Sequence, residues 1–318
     1  MRFFYQAKYR FIEARQKAYV LSAVVLLLGV AAMGRNVATL GSWQNYGVDF
    51  LGGSLVQVAF EAPVTTAELR AALTEVNPTI TQFGGAEANE FQIRGPLDED
   101  ASITEVADNI ESLLRANLPG REFEVRNTEL VGAKVGGELQ RQALFAVLFS
   151  FLLTLTYLAM RFELRFGLAA VIATAHDILI TLGFLAAFQV EIALPTVAAI
   201  LTILGYSLND TIVVFDRIRE NMRMKGARKR DPIDLVNQSI NETLPRTVLT
   251  SGTTLAVLMA LLILGGAVIR DFTIVLILGV IIGTYSSIFV ASPALIEIQK
   301  RWGMGNTEKK ERPQPATV

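Results

Sequence analysis

The sequence predicts an α-helical polytopic membrane protein with six transmembrane helices. One α+β, ferredoxin-like domain is expected between helices one and two, outside the cytoplasm. Three observations carry that prediction. Six runs among the 318 residues are apolar enough to cross a bilayer, which takes about 20 residues. Lys and Arg gather at alternate span ends. The stretch from Arg35 to Gln140 holds 16 acidic against 7 basic residues, in a chain whose net charge is −1.

Taken in order, a cytoplasmic N-terminus (1–17) leads into span one at 18–34. That span could pass for the core of a signal peptide. Its long polar lead, and an Ala31-Ala32-Met33-Gly34 end that lacks a clean small-x-small site, point instead to an uncleaved anchor.

The inserted segment, 35–141, is long enough for one small domain. Ser54 to Phe60 alternates and is β-branched, so it reads as a strand. Thr65 with Glu68 forms a capping box that opens a helix through Val76, stopped by Asn77-Pro78. Strand patterns follow at Thr79 to Phe83 and Glu90 to Arg94. A second capping box, Ser102 with Glu105, opens a helix to Asn117, and Glu122 to Leu130 gives the last strand. The order β-α-β-β-α-β is that of a ferredoxin-like sandwich.

Spans two to four are expected at 142–160, 166–188 and 192–215. A cytoplasmic loop at 216–246 carries Arg223, Lys225, Arg228, Lys229 and Arg230, then an amphipathic pattern at Ile233, Leu235, Val236 and Ile240. It reads as a topology anchor with an interfacial helix, a docking site for a cytoplasmic partner being the alternative. Spans five and six follow at 247–269 and 272–298. The tail, 299–318, has the composition of a disordered segment from Asn306 onward. The basic residues before span one, at Arg161 and Arg165, in the loop and after span six all fall on one side. Both termini are therefore expected in the cytoplasm, in a cytoplasmic (inner) membrane protein.

With no cysteine, disulfides and thiolate chemistry are excluded, and a single histidine leaves no histidine-rich metal site. The basic residues flank membrane spans and form no nucleic-acid footprint. No cofactor is expected. No acid, base and nucleophile cluster together outside the polar residues of the spans described next, so no enzyme is predicted.

The informative residues are polar ones inside the spans, because a carboxylate at mid-bilayer costs about 3 kcal/mol. Asp177 has Thr174 and Thr181 on its helical face. Asp210 has Thr202, Tyr206 and Ser207 on its face, with Asn209 adjacent. Arg246 is followed by Thr250, Thr253 and Thr254, and span six carries Thr284 and Ser287. These stripes predict a polar seam where the helices meet. Lone hydroxyls in such helices often only bond a neighbouring carbonyl. Gly279 and Gly283 read as helix packing, and Asp216 as a salt-bridge partner of Arg217 or Arg219. His176 adjoins Asp177, but neighbours on a helix diverge by about 100°. Asp210 with Arg246 reads as a proton site: burial favours the neutral acid and a nearby guanidinium the carboxylate, so the pair can bind and release a cation. Sodium competes with the proton, since Asp, Asn, Ser and Thr oxygens suit both.

Gly47-Val48-Asp49-Phe50-Leu51-Gly52-Gly53, just after span one, resembles the G-x-D-F-x-G-G signature of the SecF side of the SecD/SecF protein-export family. The resemblance continues, in order, through His176-Asp177, Gly205 to Thr211, Val213 to Arg217, Asn241 to Thr247 and Thr250 to Thr254. It implies the resistance-nodulation-division architecture, in which SecD and SecF pair as pseudo-symmetric halves. It implies a proton relay at Asp210 and Arg246, with Asp177 close by. It also implies use of the proton-motive force to pull preproteins outward after the SecYEG channel. The alternative is an ion-coupled small-molecule exporter of the same superfamily, acting as a homo-oligomer. Its relatives carry two large outer insertions, and this chain has one short one. Within the signature, Gly47, Gly52 and Gly53 are expected to serve a tight turn in which Asp49 bonds its own backbone.

Overall fold

The computed structural model describes residues 8–76, 78–83, 89–95, 103–224, 226, 230–266 and 269–302. Asn77, the cap at Ser102, the basic residues Lys225, Arg228 and Lys229, and the tail from Asn306 lie outside them.

Among the described residues, six helical stretches are long and apolar enough to cross a membrane. The first, α1 (Arg15–Leu40), ends at Gly41 in the left-handed region (φ 73°), which a glycine enters without a Cβ penalty. A short turn of helix, α2 (Val48–Leu51), leads into the inserted domain. There β1 (Gly53–Phe60), α3 (Thr66–Ala72), β2 (Thr79–Phe83), β3 (Glu90–Gly95), α4 (Ile103–Asn117) and β4 (Phe123–Val131) follow in the expected order. The sheet runs β2-β3-β1-β4 with every pair antiparallel, the split arrangement of a ferredoxin-like domain. Its core joins Val56, Val58, Phe91 and Ile93 of the sheet to Leu69, Ile110 and Leu114 of the helices.

The capping box at Thr65 forms, with Glu68 N–H donating to Thr65 Oγ1 (3.2 Å) and Thr65 N–H to Glu68 Oε2 (2.7 Å). The Thr65 N–H first, then the Thr65 hydroxyl donating to the same oxygen at 2.8 Å, hold the Glu68 carboxyl below the usual carboxylate range. The helix stops at Ala72, a turn before Val76. The Thr74 hydroxyl donates to the Ala71 carbonyl at 2.7 Å and competes with helical bonding there.

The remaining spans are α5 (Ala133–Arg161), α6 (Leu164–Phe188), α7 (Leu194–Arg223), α8 (Pro232–Leu264) and a broken helix, α9 (Arg270–Ser286) then α10 (Ser292–Trp302). Glycines set the closest packing. A Cβ on Gly29 of α1 or Gly183 of α6 would fall 2.8 Å from the other's Cα. One on Gly283 of α9 would fall 3.0 Å from Ser207 Cβ of α7. Gly279 and Gly283 do serve helix packing, against Ile203 and Ser207.

Two sequence expectations are corrected here. The amphipathic pattern at 233–240 is no separate loop helix: α8 runs unbroken from an Asp231 cap, whose Oδ1 accepts from Ile233 N–H at 2.9 Å, into span five. Pro245 removes one backbone bond inside it, yet the flanking residues continue the helix. Helix α7 likewise extends past Phe215, where Arg217 and Asn221 bond Glu242 of α8 at 2.6 and 2.8 Å. Asp216 pairs with Arg219 at 3.2 Å, as expected.

Candidate functional site

The GG signature acts as a joint between the inserted domain and the bundle. Gly52 (φ 75°) and Gly53 (φ 124°) take conformations that glycine tolerates best. Gly47 N–H donates to the Ile192 carbonyl at 2.9 Å, and a side chain there would strike Glu191. Phe50 is buried against Leu185, Ile192, Ile200 and Ile203. The expected Asp49 bond to its own turn is corrected: Asp49 Oδ2 accepts from the backbone N–H of Leu194 at 2.7 Å, capping the start of α7. A carboxylate suits that helix end, where unpaired N–H groups and the dipole favour negative charge. Arg94 of β3 pairs with Glu191 beside it.

Deep in the bundle, Asp177 of α6 is 1% exposed and Asp210 of α7 is 7%. Asp177 Oδ2 accepts from Ser207 Oγ of α7 at 2.5 Å and from Ser286 Oγ of α9 at 2.7 Å. Asp210 Oδ1 accepts from Thr247 Oγ1 of α8 at 2.6 Å, and Oδ2 from Ser287 Oγ at 2.5 Å. Ser207 and Asp210 lie one turn apart on α7, which therefore serves both acids. Ser286 and Ser287 are neighbours on the broken helix, and their divergence sends one hydroxyl to each acid. The break is a π-helical turn, Ser287–Ala291, a feature frequent at functional sites.

His176 is drawn into the same network, against the expectation from helical divergence. Its Nδ1 lies 2.9 Å from Asp177 Oδ1 and its Nε2 lies 3.0 Å from Ser22 Oγ of α1. Ring rotation and the flexible carboxylate close the gap that the helical angle opens.

The predicted seam is therefore divided. Thr174, Thr202, Thr250, Thr253 and Thr254 each donate to a carbonyl of their own helix, the structural role that lone hydroxyls often have. Tyr206 reaches Ser251, which bonds Thr284 at 2.7 Å and ties α7, α8 and α9 together. Arg246 makes no ion pair with Asp210 among the described residues, and its side chain is exposed. Thr250 and Thr253, four and seven residues on, lie on the same helical side and are exposed too, as are Thr202 and Asn209 of α7. The helix turns Thr247 inward to the acid and the preceding Arg246 outward, so the guanidinium acts on Asp210 only at longer range. Thr247, Ser286 and His176 were absent from the predicted site. The adjacent serines at 286–287 and the threonine after Arg246 were the available signals.

Buried carboxyls are costly unless hydrogen-bonded. Here each acid has two hydroxyl donors and, among the described residues, no cation in ion-pair range other than His176 beside Asp177. Such a carboxyl keeps its hydroxyl partners on gaining a proton, so it can change charge without losing its packing.

The sequence matches the family model described as "Protein export membrane protein SecD/SecF, C-terminal" over residues 110–301, and that of the SecD/SecF GG motif over residues 45–64. It is 44% identical to "Protein translocase subunit SecF" of Desulfurispirillum indicum, across 99% of this chain and 98% of that one. To the protein of the same name in Gemmatimonas aurantiaca it is 42% identical, across 95% and 90%. Among solved structures it resembles SecDF of Thermus thermophilus, titled a translocon-associated membrane protein, with a TM-score of 0.79 and 38% identity over 95% of this chain. The chain spans 40% of that SecDF chain's length. With relatives above 40% identity over almost their whole length, the chain belongs to the SecF side of the SecD/SecF protein-export family.

Proposed function

We propose that this chain is the SecF half of a SecD–SecF pair in the cytoplasmic membrane, with both termini cytoplasmic. It uses the proton-motive force to draw preproteins outward after the SecYEG channel. Asp210 is the proton-binding group, Asp177 a second acid of the same network, and Arg246 the cation that senses the charge on Asp210.

The observation that carries this reading is the placement of Asp210. It sits in a hydroxyl cage one residue's turn of α8 away from an arginine on an uncovered, membrane-level face. A lone arginine facing lipid costs about 2.5–3.5 kcal/mol by insertion scales, so the exposed Arg246 fits a covering subunit far better than lipid. SecD is the partner that the family supplies. Protonation of Asp210 removes its pull on Arg246, and the face that SecD covers rearranges. One charge crossing 100 mV releases about 2.3 kcal/mol, enough to bias such a step. The small-molecule exporter is not favoured, since relatives of nearly the same length carry the translocase name.

Purification of the tagged chain in mild detergent, from cells that also make SecD, tests the pairing. Near-equal amounts of SecD are expected in the eluate. Recovery of the chain alone contradicts the pair. Coupling to sodium is tested in the same preparation after reconstitution: the proton reading expects full stimulation by a pH gradient in sodium-free buffer.

A further inference from the structure

Hydrogen counting along one chain of contacts fixes a protonation state that the acids alone do not. Tyr285 Oη donates to the Ala18 carbonyl at 3.0 Å, which uses its only hydrogen. The 3.2 Å contact between Tyr285 Oη and Ser22 Oγ must then be donated by Ser22. Ser22 has one hydroxyl hydrogen, so it has none left for His176 Nε2 at 3.0 Å, and the ring nitrogen must donate instead. On the other side of the ring, Nδ1 and Asp177 Oδ1 stand 2.9 Å apart and share one hydrogen. Asp177 Oδ2 is already the acceptor for Ser207 and Ser286.

We infer that His176 and Asp177 form a second proton-binding site that acts as a unit, holding one proton between Nδ1 and Oδ1, with Ser22 and Tyr285 fixing the ring as an Nε2–H donor. The state is a neutral imidazole beside a carboxylic acid, or an imidazolium beside a carboxylate, and the two differ only in the position of that proton. The groups facing the pair come from three other helices: Ser22 of α1, Ser207 of α7, and Tyr285 and Ser286 of α9. When the pair gives up its proton, the remaining carboxylate needs a donor at Oδ1. The ring supplies it by carrying hydrogen on Nδ1, so Ser22 must turn its hydroxyl toward Nε2 and release Tyr285. Loss of the proton is thereby read out at the contact between α1 and α9. The inference rests on the proton-driven reading above and deepens it.

The chain has a single histidine, so ¹⁵N-histidine labelling reports this ring alone. Solid-state NMR of the labelled chain, paired with SecD in liposomes at neutral pH, is expected to show a protonated Nε2. The Nδ1 signal should be that of a nitrogen in a strong hydrogen bond. A bare Nε2 would overturn the proposal. Tyr285→Phe keeps the ring stacked on His176 but removes the acceptor that claims the Ser22 hydrogen. It is expected to strip Nε2 of its hydrogen in a substantial fraction of molecules, one proton leaving the pair and the hydrogen shared with Asp177 staying on Nδ1. An unchanged spectrum in Tyr285→Phe would overturn the hydroxyl control of the ring. Neither readout depends on transport, so a failure here is separable from a failure of the export assignment.

Discussion

Asp210→Asn is expected to remove the proton-driven part of export entirely, while the chain still folds and pairs with SecD. Asparagine has nearly the shape of the acid. Its amide oxygen still accepts from Thr247 or Ser287, so about one hydrogen bond is lost, worth about 0.6 kcal/mol on average in a membrane bundle. Stability should therefore change by less than about 2 kcal/mol. What the variant cannot do is bind and release a proton. If one charge moving through the potential supplies about 2.3 kcal/mol, losing it removes a bias of about fifty-fold between the two states. Export into membrane vesicles, measured with and without an imposed pH gradient, should show equal rates for this variant. A gradient response like that of the unaltered protein would mean that the proton enters elsewhere.

Arg246→Met should have the same functional effect for a different reason. The guanidinium touches no described acid and lies on the exposed face, so its removal costs the isolated fold almost nothing. Methionine is a good helix former and more apolar, which leaves α8 intact beside Pro245. The gradient-dependent rate should nonetheless fall to the level seen without the chain. Detergent melting of the isolated protein should stay within a few degrees. If the melting temperature drops sharply instead, the arginine holds the bundle together and is no charge sensor. Arg246→Lys distinguishes charge from geometry: partial activity is expected, because an ammonium keeps the charge and loses the planar fork.

The overall plan was legible because its signals are strong and periodic. Apolar runs marked the spans, alternation marked β1, and the Thr65–Glu68 box marked the start of α3. The acids themselves were legible from their cost in lipid. Their partners were not, because a hydroxyl's choice between its own helix and a neighbouring acid depends on interhelical distance. Thr250 and Thr247 sit one turn apart on α8, yet one bonds Arg246's carbonyl and the other Asp210. The π-turn that begins at Ser287 and breaks the last helix has no periodic signature. The bond from Asp49 to α7 spans elements far apart in sequence, so local turn chemistry could not anticipate it. Continuity of α8 through Pro245 was missed because a proline usually marks a boundary, and here the helix passes it.

The most direct test of the account is infrared difference spectroscopy on the SecD-paired chain in liposomes, recorded as a pH gradient is imposed and collapsed. A protonated-carboxyl band that rises and falls with the gradient, and is missing from Asp210→Asn, is the predicted result. A band that stays constant through both phases, or one that persists unaltered in Asp210→Asn, would contradict it.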